Sequence, residues 1–334
     1  MVKRAAFALA GLLLAATPIV AARAAEPIGI ALEGFPYPHP VSYMPVTLGG
    51  EALRMAYMDV QPTGQANGRT ALLLHGRNFP ASYWEPVAKA LSNAGYRVVI
   101  PDQIGFGKSS KPTMYNSFDD LARLTSGLLD RLGIAQADVV AHSMGGMLAV
   151  RLARAYPQKV ARLVLEAPIG LEDYRLYVPP VETERLVTQE RELSADGYKR
   201  QLVTNYALSR PEEADPFVDL RERMKGSGEY ERWVRAFVNT YQMIYREPVA
   251  HEIPLVAQPT LFIMGARDHN APGRPFAPPE VRAKMGENAK LAVDLAGRMP
   301  RGRAVVFDDA GHMVHLDSEA RFNDEMLRFL AQQP

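Results

Sequence analysis

Six short apolar runs limit what this chain can fold into: RTALLLHG, YRVVIPD, ADVVAHS, VARLVLEAP, PTLFIMGARD and GRAVVFDDAGH. Each is bounded by Gly, Pro or Asp and shows little alternation of polar and apolar residues. Such runs fit strands buried on both faces. Helical patterns lie between them, namely SYWEPVAKALSNAG, FDDLARLTSGLLDRLG, GGMLAVRLARAYP and finally SEARFNDEMLRFLAQ. Several of these end in Gly or are followed by Pro, as helix stops should be. Strand alternating with helix predicts an α/β domain whose mainly parallel, doubly wound sheet is covered on both sides. Upstream, SYMPVTLGGEALRMAYMDV is interrupted at Gly49-Gly50 and reads as a β-hairpin.

The alternation fails once. Residues 171–249 contain no strand-like run; they are charged, rich in aromatics and helical in pattern, as in YERWVRAFVNTYQMIY. This predicts a helical cap inserted into the core, with residues 25–170 and 250–334 forming the two parts of the α/β domain. Within the cap, Trp233, Phe237, Tyr241 and Tyr245 share one helix face, spacing that fits core packing or the lining of an apolar inner face.

Residues 1–24 are of a different kind. Lys3 and Arg4 precede an Ala- and Leu-rich stretch that ends in small residues around Ala22-Arg23-Ala24. That order is expected of a secretory signal peptide, and an uncleaved anchor is the alternative. A periplasmic or secreted protein follows, with no stable membrane association after cleavage. The formal charge of +1 falls to −2 without Lys3, Arg4 and Arg23, and there is no basic run, so nucleic acid is not an expected partner. Zero cysteines exclude disulfides, thiolate chemistry and a lipid-modified cysteine.

In open parallel sheets, reactive groups gather at the carboxyl ends of the strands. Ser143 lies where DVVAH ends and a helix begins, with Ala141 two residues before it and Gly145 two after. That is the setting of a nucleophile held on a strained strand-to-helix turn; a helix N-cap is the plainer reading of the same serine. A serine hydroxyl needs an imidazole base, itself oriented by a carboxylate. Of seven histidines, His312 directly follows a strand; His142 adjoins the serine, His269 adjoins an acid and His315 reads as a packing or capping residue. Asp268, just past Gly265, is the candidate acid, and Glu166 at another strand end is its rival. Oxyanion donors are expected from the backbone N–H of Met144 and from the loop after ALLLHG, where Arg77 is the candidate and Asn78 the alternative.

The segments LLLHGRNFPASYW, VVIPDQIGFGKSSKP, VVAHSMGGMLAVRLARAYPQKVARLVLEAPIG, GARD and DDAGHMVHLDSEARF, in this order, resemble the α/β-hydrolase superfamily. The resemblance covers about residues 71–330 outside the cap, where it implies only a helical lid. It departs from the family pattern at Ala141, where glycine is usual, and in a long stretch between Asp268 and His312. The resemblance makes DQIGFGKS a structural loop. GFGKSS lacks the earlier glycine of a phosphate-binding loop, and HEIPL lacks the second histidine of a zinc helix.

Serine at the elbow, in place of aspartate, points away from alkyl-enzyme chemistry and toward acyl transfer to water. The expected function is a serine hydrolase acting on carboxylic esters of small molecules, without metal or cofactor. Hydrolytic C–C cleavage of ring-fission products and aminopeptidase activity on short peptides are the alternatives. A ligand-binding protein on a hydrolase scaffold is the non-enzyme alternative.

Overall fold

The computed structural model describes residues 26–332. The expected signal peptide, residues 1–24, lies outside them. Eight strands form one sheet in the order β1-β2-β4-β3-β5-β6-β7-β8. The hairpin strands β1 (Val41–Leu48) and β2 (Glu51–Val60) are antiparallel, and β2 runs antiparallel to β4 (Arg97–Pro101). From β4 onward through β3 (Thr70–Leu74), β5 (Ala137–His142), β6 (Val160–Glu166), β7 (Thr260–Gly265) and β8 (Gly302–Phe307) the pairing is parallel. Gly49 and Gly50 turn the hairpin with φ of 56° and 82°. Positive φ at both central residues is the geometry of a type I′ turn, whose twist matches the flanking strands.

The central strands are apolar on both faces because helices cover both. Every residue of β5 and of β7 is buried. One layer of helices comprises α1 (Glu85–Asn93) and α10 (Glu319–Leu330), which touch each other; the opposite layer pairs α2 (Phe118–Arg131) with α3 (Met144–Ala155), with α9 (Asn288–Arg298) against β7 and β8. Two apolar clusters form accordingly, one holding Phe118, Leu148 and Phe262 and the other Trp84, Leu91 and Phe322. Each such side chain contributes about 1.5–3 kcal/mol by leaving water.

Between β6 and β7 the chain forms α4 (Thr183–Glu192), α5 (Ala195–Arg200), α6 (Asp215–Lys225) and α7 (Tyr230–Arg246), with no strand. These helices are the inserted cap of an α/β-hydrolase fold. In α7, Trp233 stacks on both Tyr230 and Phe237. Trp233 is buried in this stack, while Tyr241 reaches the large cavity below.

The stretch from Asp268 to His312 contains α8 (Pro279–Arg282), α9 and β8. Much of its length is therefore the ordinary crossover between two parallel strands. Only its first part, through Phe276, borders the cavity.

The loop after β4 is tied together by the Asp102 carboxylate. Asp102 accepts from the Ala81 and Lys108 amides, both at 2.8 Å, and from the Tyr37 hydroxyl at 2.7 Å. Burial and the neighbouring Asp102 carboxylate together raise the Tyr37 pKa. Asp102 is 1% exposed and all its bonds serve the fold, which fits a structural loop.

Candidate active site

The chain leaves β3 and goes outward to β4, then returns to the other side of β3 with β5. This reversal opens a crevice at the carboxyl edge of the sheet. Ser143 stands at that edge with φ 56° and ψ −118°. For a residue with a Cβ this is strained, and only the surrounding structure maintains it. The reason is steric. A side chain at Gly145 would overlap the Leu74 carbonyl of the neighbouring strand, and one at Gly146 would overlap Pro168. The helix start can thus press against the sheet while the serine is lifted above it.

Ser143 donates to His312 Nε2 at 2.9 Å, and His312 Nδ1–H donates to Asp268 Oδ2 at 2.9 Å. The three residues are at most 4% exposed. The structure therefore joins Ser143, His312 and Asp268 in one hydrogen-bonded chain. The Asp268–His312 bond leaves Nε2 of a neutral imidazole as an acceptor, the state a base needs.

Glu166 is not part of this chain. Its Oε1 accepts from His315 N at 2.8 Å and from His315 Nδ1 at 2.7 Å, and both residues are fully buried. His269 donates elsewhere, to the Gly286 carbonyl.

His142 has a definite tautomer. Its Nε2–H donates to the His312 carbonyl at 2.9 Å, so Nδ1 must accept the Tyr83 hydroxyl at 2.9 Å. The Tyr83 oxygen in turn accepts the Gly76 amide at 3.1 Å. Burial and then the neighbouring His312 and His315 hold the His142 pKa well below the usual histidine value. The neutral imidazole ties the backbone of His312 to the loop after β3. Because Gly76 N–H is occupied, a donor on that loop must come from Arg77 or Asn78. Met144 N–H belongs to the first turn of α3, where amides have no intrahelical acceptor.

The cap reaches into the site. The His312 amide donates to the Tyr206 carbonyl at 2.8 Å, the Tyr206 ring packs on the His312 ring, and the Asn78 side chain donates to the Tyr206 hydroxyl. Arg77 extends from below: Nε donates to Thr240 Oγ1 at 3.1 Å and Nη2 to the Phe237 carbonyl at 2.9 Å, with the guanidinium over the Phe237 ring. Burial lowers its pKa, an effect partly offset by the nearby Glu190 carboxylate, which itself forms an ion pair with Arg221. A cavity of about 680 Å³ opens over Ser143, lined by Arg77, Asn78, Tyr206, Tyr241 and Asn270 among others. Among the described residues there is no cluster of metal-ligating side chains.

Sequence reasoning had missed Tyr206, Tyr83 and Asn270. Asn270 carried a faint signal, lying two residues past the candidate acid. Tyr206 carried none, because its place depends on the path of the cap.

The chain matches the model of the Alpha/beta hydrolase family over residues 71–325. It is 32% identical over 297 residues to a 2-hydroxy-6-oxononadienedioate/2-hydroxy-6-oxononatrienedioate hydrolase of Paraburkholderia phymatum, covering 87% of this chain and 95% of that one. It is 30% identical to a 2-hydroxymuconate semialdehyde hydrolase of Pseudomonas putida, over 80% of this chain and 89% of the other. A crystal structure of a probable hydrolytic enzyme from Pseudomonas aeruginosa PAO1 superposes with a TM-score of 0.88 at 44% identity, covering 92% of this chain and 99% of that one. By sequence and by fold, this chain belongs to the alpha/beta hydrolase family.

Proposed function

We propose that this protein is a serine hydrolase that cleaves a carbonyl-bearing, carboxylate-containing small molecule, with C–C bond hydrolysis as its leading reaction. The observation that carries the hydrolytic part is the chain Ser143–His312–Asp268 at 2.9 Å per link beneath the cap helices. Ser143 attacks the carbonyl carbon while His312 Nε2 takes its proton. Asp268 fixes the tautomer and stabilises the imidazolium. Met144 N–H, with Arg77 or Asn78 N–H, holds the oxyanion. His312 then protonates the leaving group, and water releases the acyl group from Ser143.

The leading substrate class follows from the relatives, which are named hydrolases of oxo-dienedioates and of a muconate semialdehyde. Hydrolysis at a ketone carbonyl breaks a C–C bond. The anionic character of the proposed substrate rests on those relatives, because the Arg77 guanidinium on the cavity wall is already bonded to Thr240 and the Phe237 carbonyl and has Glu190 nearby. Carboxylic ester hydrolysis is the second reading. It is favoured by the expected signal peptide, since an exported enzyme meets esters outside the cytoplasm. The cap helices supply much of the wall of the cavity in which the substrate would bind.

Purified protein without residues 1–24 would be offered an oxo-dienedioate and a series of p-nitrophenyl esters, with products identified by mass spectrometry. Two carboxyl-bearing fragments from the first substrate at a higher kcat/KM support C–C cleavage. Turnover of esters alone supports the second reading. Turnover of neither, with no labelling of Ser143 by a fluorophosphonate, overturns the hydrolase proposal.

A further inference from the structure

Asn270 faces the same nitrogen as the candidate nucleophile. Its side-chain amide lies 3.3 Å from His312 Nε2, which Ser143 Oγ reaches at 2.9 Å. The backbone of Asn270 is fixed independently. Its N–H donates to Asp268 Oδ1 at 2.9 Å, and its carbonyl accepts from Asn288 Nδ2 at 2.9 Å. Asn288 is 2% exposed, so this support is internal. The loop is therefore held without the Asn270 side chain, which is half-buried and lines the cavity beside Ser143 and Tyr206. A side chain needed only to hold the loop would be bonded to the loop.

We propose that Asn270 positions the hydrolytic water at His312 Nε2, an inference that rests on the acyl-enzyme reading above. After the leaving group departs, a water must lie within hydrogen-bond reach of Nε2 and over the face of the Ser143 ester carbonyl. A water that approaches Nε2 from the Asn270 side comes within reach of the side-chain amide 3.3 Å from the same nitrogen. A carboxamide offers both a donor and an acceptor, and its two ends exchange by a flip of the side chain. The water gives one proton to Nε2 as its oxygen bonds to the acyl carbon. Its second proton is held by Asn270 Oδ1, which aims the attacking lone pair. The tetrahedral intermediate then collapses: the bond from carbon to Ser143 Oγ breaks, and the imidazolium returns the proton to Oγ. Neither the acylation of Ser143 nor its phosphonylation uses this water.

The test separates the two half-reactions in Asn270→Ala. Phosphonylation of Ser143 by a fluorophosphonate should stay within about threefold of the parent rate. Steady-state turnover of p-nitrophenyl acetate should fall by roughly tenfold to a hundredfold, the scale of a misplaced reactant. Acetylated Ser143 should accumulate in the variant on acid quench, detected by intact-mass spectrometry. Equal losses of phosphonylation and turnover in Asn270→Ala, or no loss of turnover, would overturn the assignment. A parent protein whose Ser143 does not react with the probe overturns the acyl-enzyme reading instead.

Discussion

The carbonyl of Tyr206 accepts the backbone amide of His312 at 2.8 Å, so the cap helps to hold the imidazole that faces Ser143. The same tyrosine holds Asn78 through its hydroxyl. One cap residue thus contacts both the candidate base and the loop expected to supply an oxyanion donor.

Removing that hydroxyl should loosen the oxyanion loop. Tyr206→Phe and Asn78→Ala are each expected to lower kcat/KM by about tenfold, as a small displacement of a reacting group does. The double variant should lose little more than either single one, because both remove the same contact. Multiplied losses would mean that the two side chains act separately.

Ser143→Ala should abolish turnover by several orders of magnitude while the thermal midpoint stays close to the parent value. The residue's strained backbone, φ 56°, is imposed by its neighbours and persists in the alanine variant. Activity within about tenfold of the parent would contradict the mechanism.

Asp268→Asn keeps the shape of the acid and removes its charge. The rate loss should be on the order of 10⁴, as for the equivalent change in another serine hydrolase. Glu166→Gln should mainly cost stability, about 1–3 kcal/mol, by disturbing a buried hydrogen-bonded pair with His315. Both variants belong in one kinetic assay with parallel urea unfolding. A crippling Glu166→Gln beside a mild Asp268→Asn would reverse the assignment.

His142 and His75 are buried, and burial lowers both below the ordinary value of 6.5. In the unfolded chain they take up protons near that pH, while in the fold they stay neutral. Their contribution is therefore fully present above the unfolded value and lost as pH falls below it. The urea midpoint should drop between pH 7.5 and 5.5, and by less in His142→Gln than in the parent. An equal drop in both proteins would remove His142 from the cause.

The parallel core was legible in the chain because its central strands encode their own burial; the run GRAVVF has the same apolar pattern but forms the edge strand, where only Phe307 is buried. Continuous apolar runs such as RTALLLHG and PTLFIMGARD need cover on both faces, and helical patterns between them supply it. Ser143, Asp268 and His312 were legible for a related reason. Each follows such a run, and parallel strands bring their carboxyl ends to one edge. Sequence spacing also marked Gly145, whose missing side chain lets α3 approach Leu74.

Other relationships depend on groups that no local pattern links. Glu166 ends β6 and Asp268 lies just past the end of β7, and only the lateral order of those strands puts Asp268 against His312 and Glu166 against His315. The tautomer of His142 is fixed by Tyr83 and by the His312 carbonyl, 59 and 170 residues away. Tyr206 meets His312 because the cap folds back across the sheet edge, and nothing near Tyr206 in the sequence records that return. Local burial and turn chemistry thus set the elements and the candidate nucleophile. The pairing of polar groups across distant segments, which directs each proton, was decided by tertiary packing, because a hydrogen bond depends on position in space and not on separation along the chain.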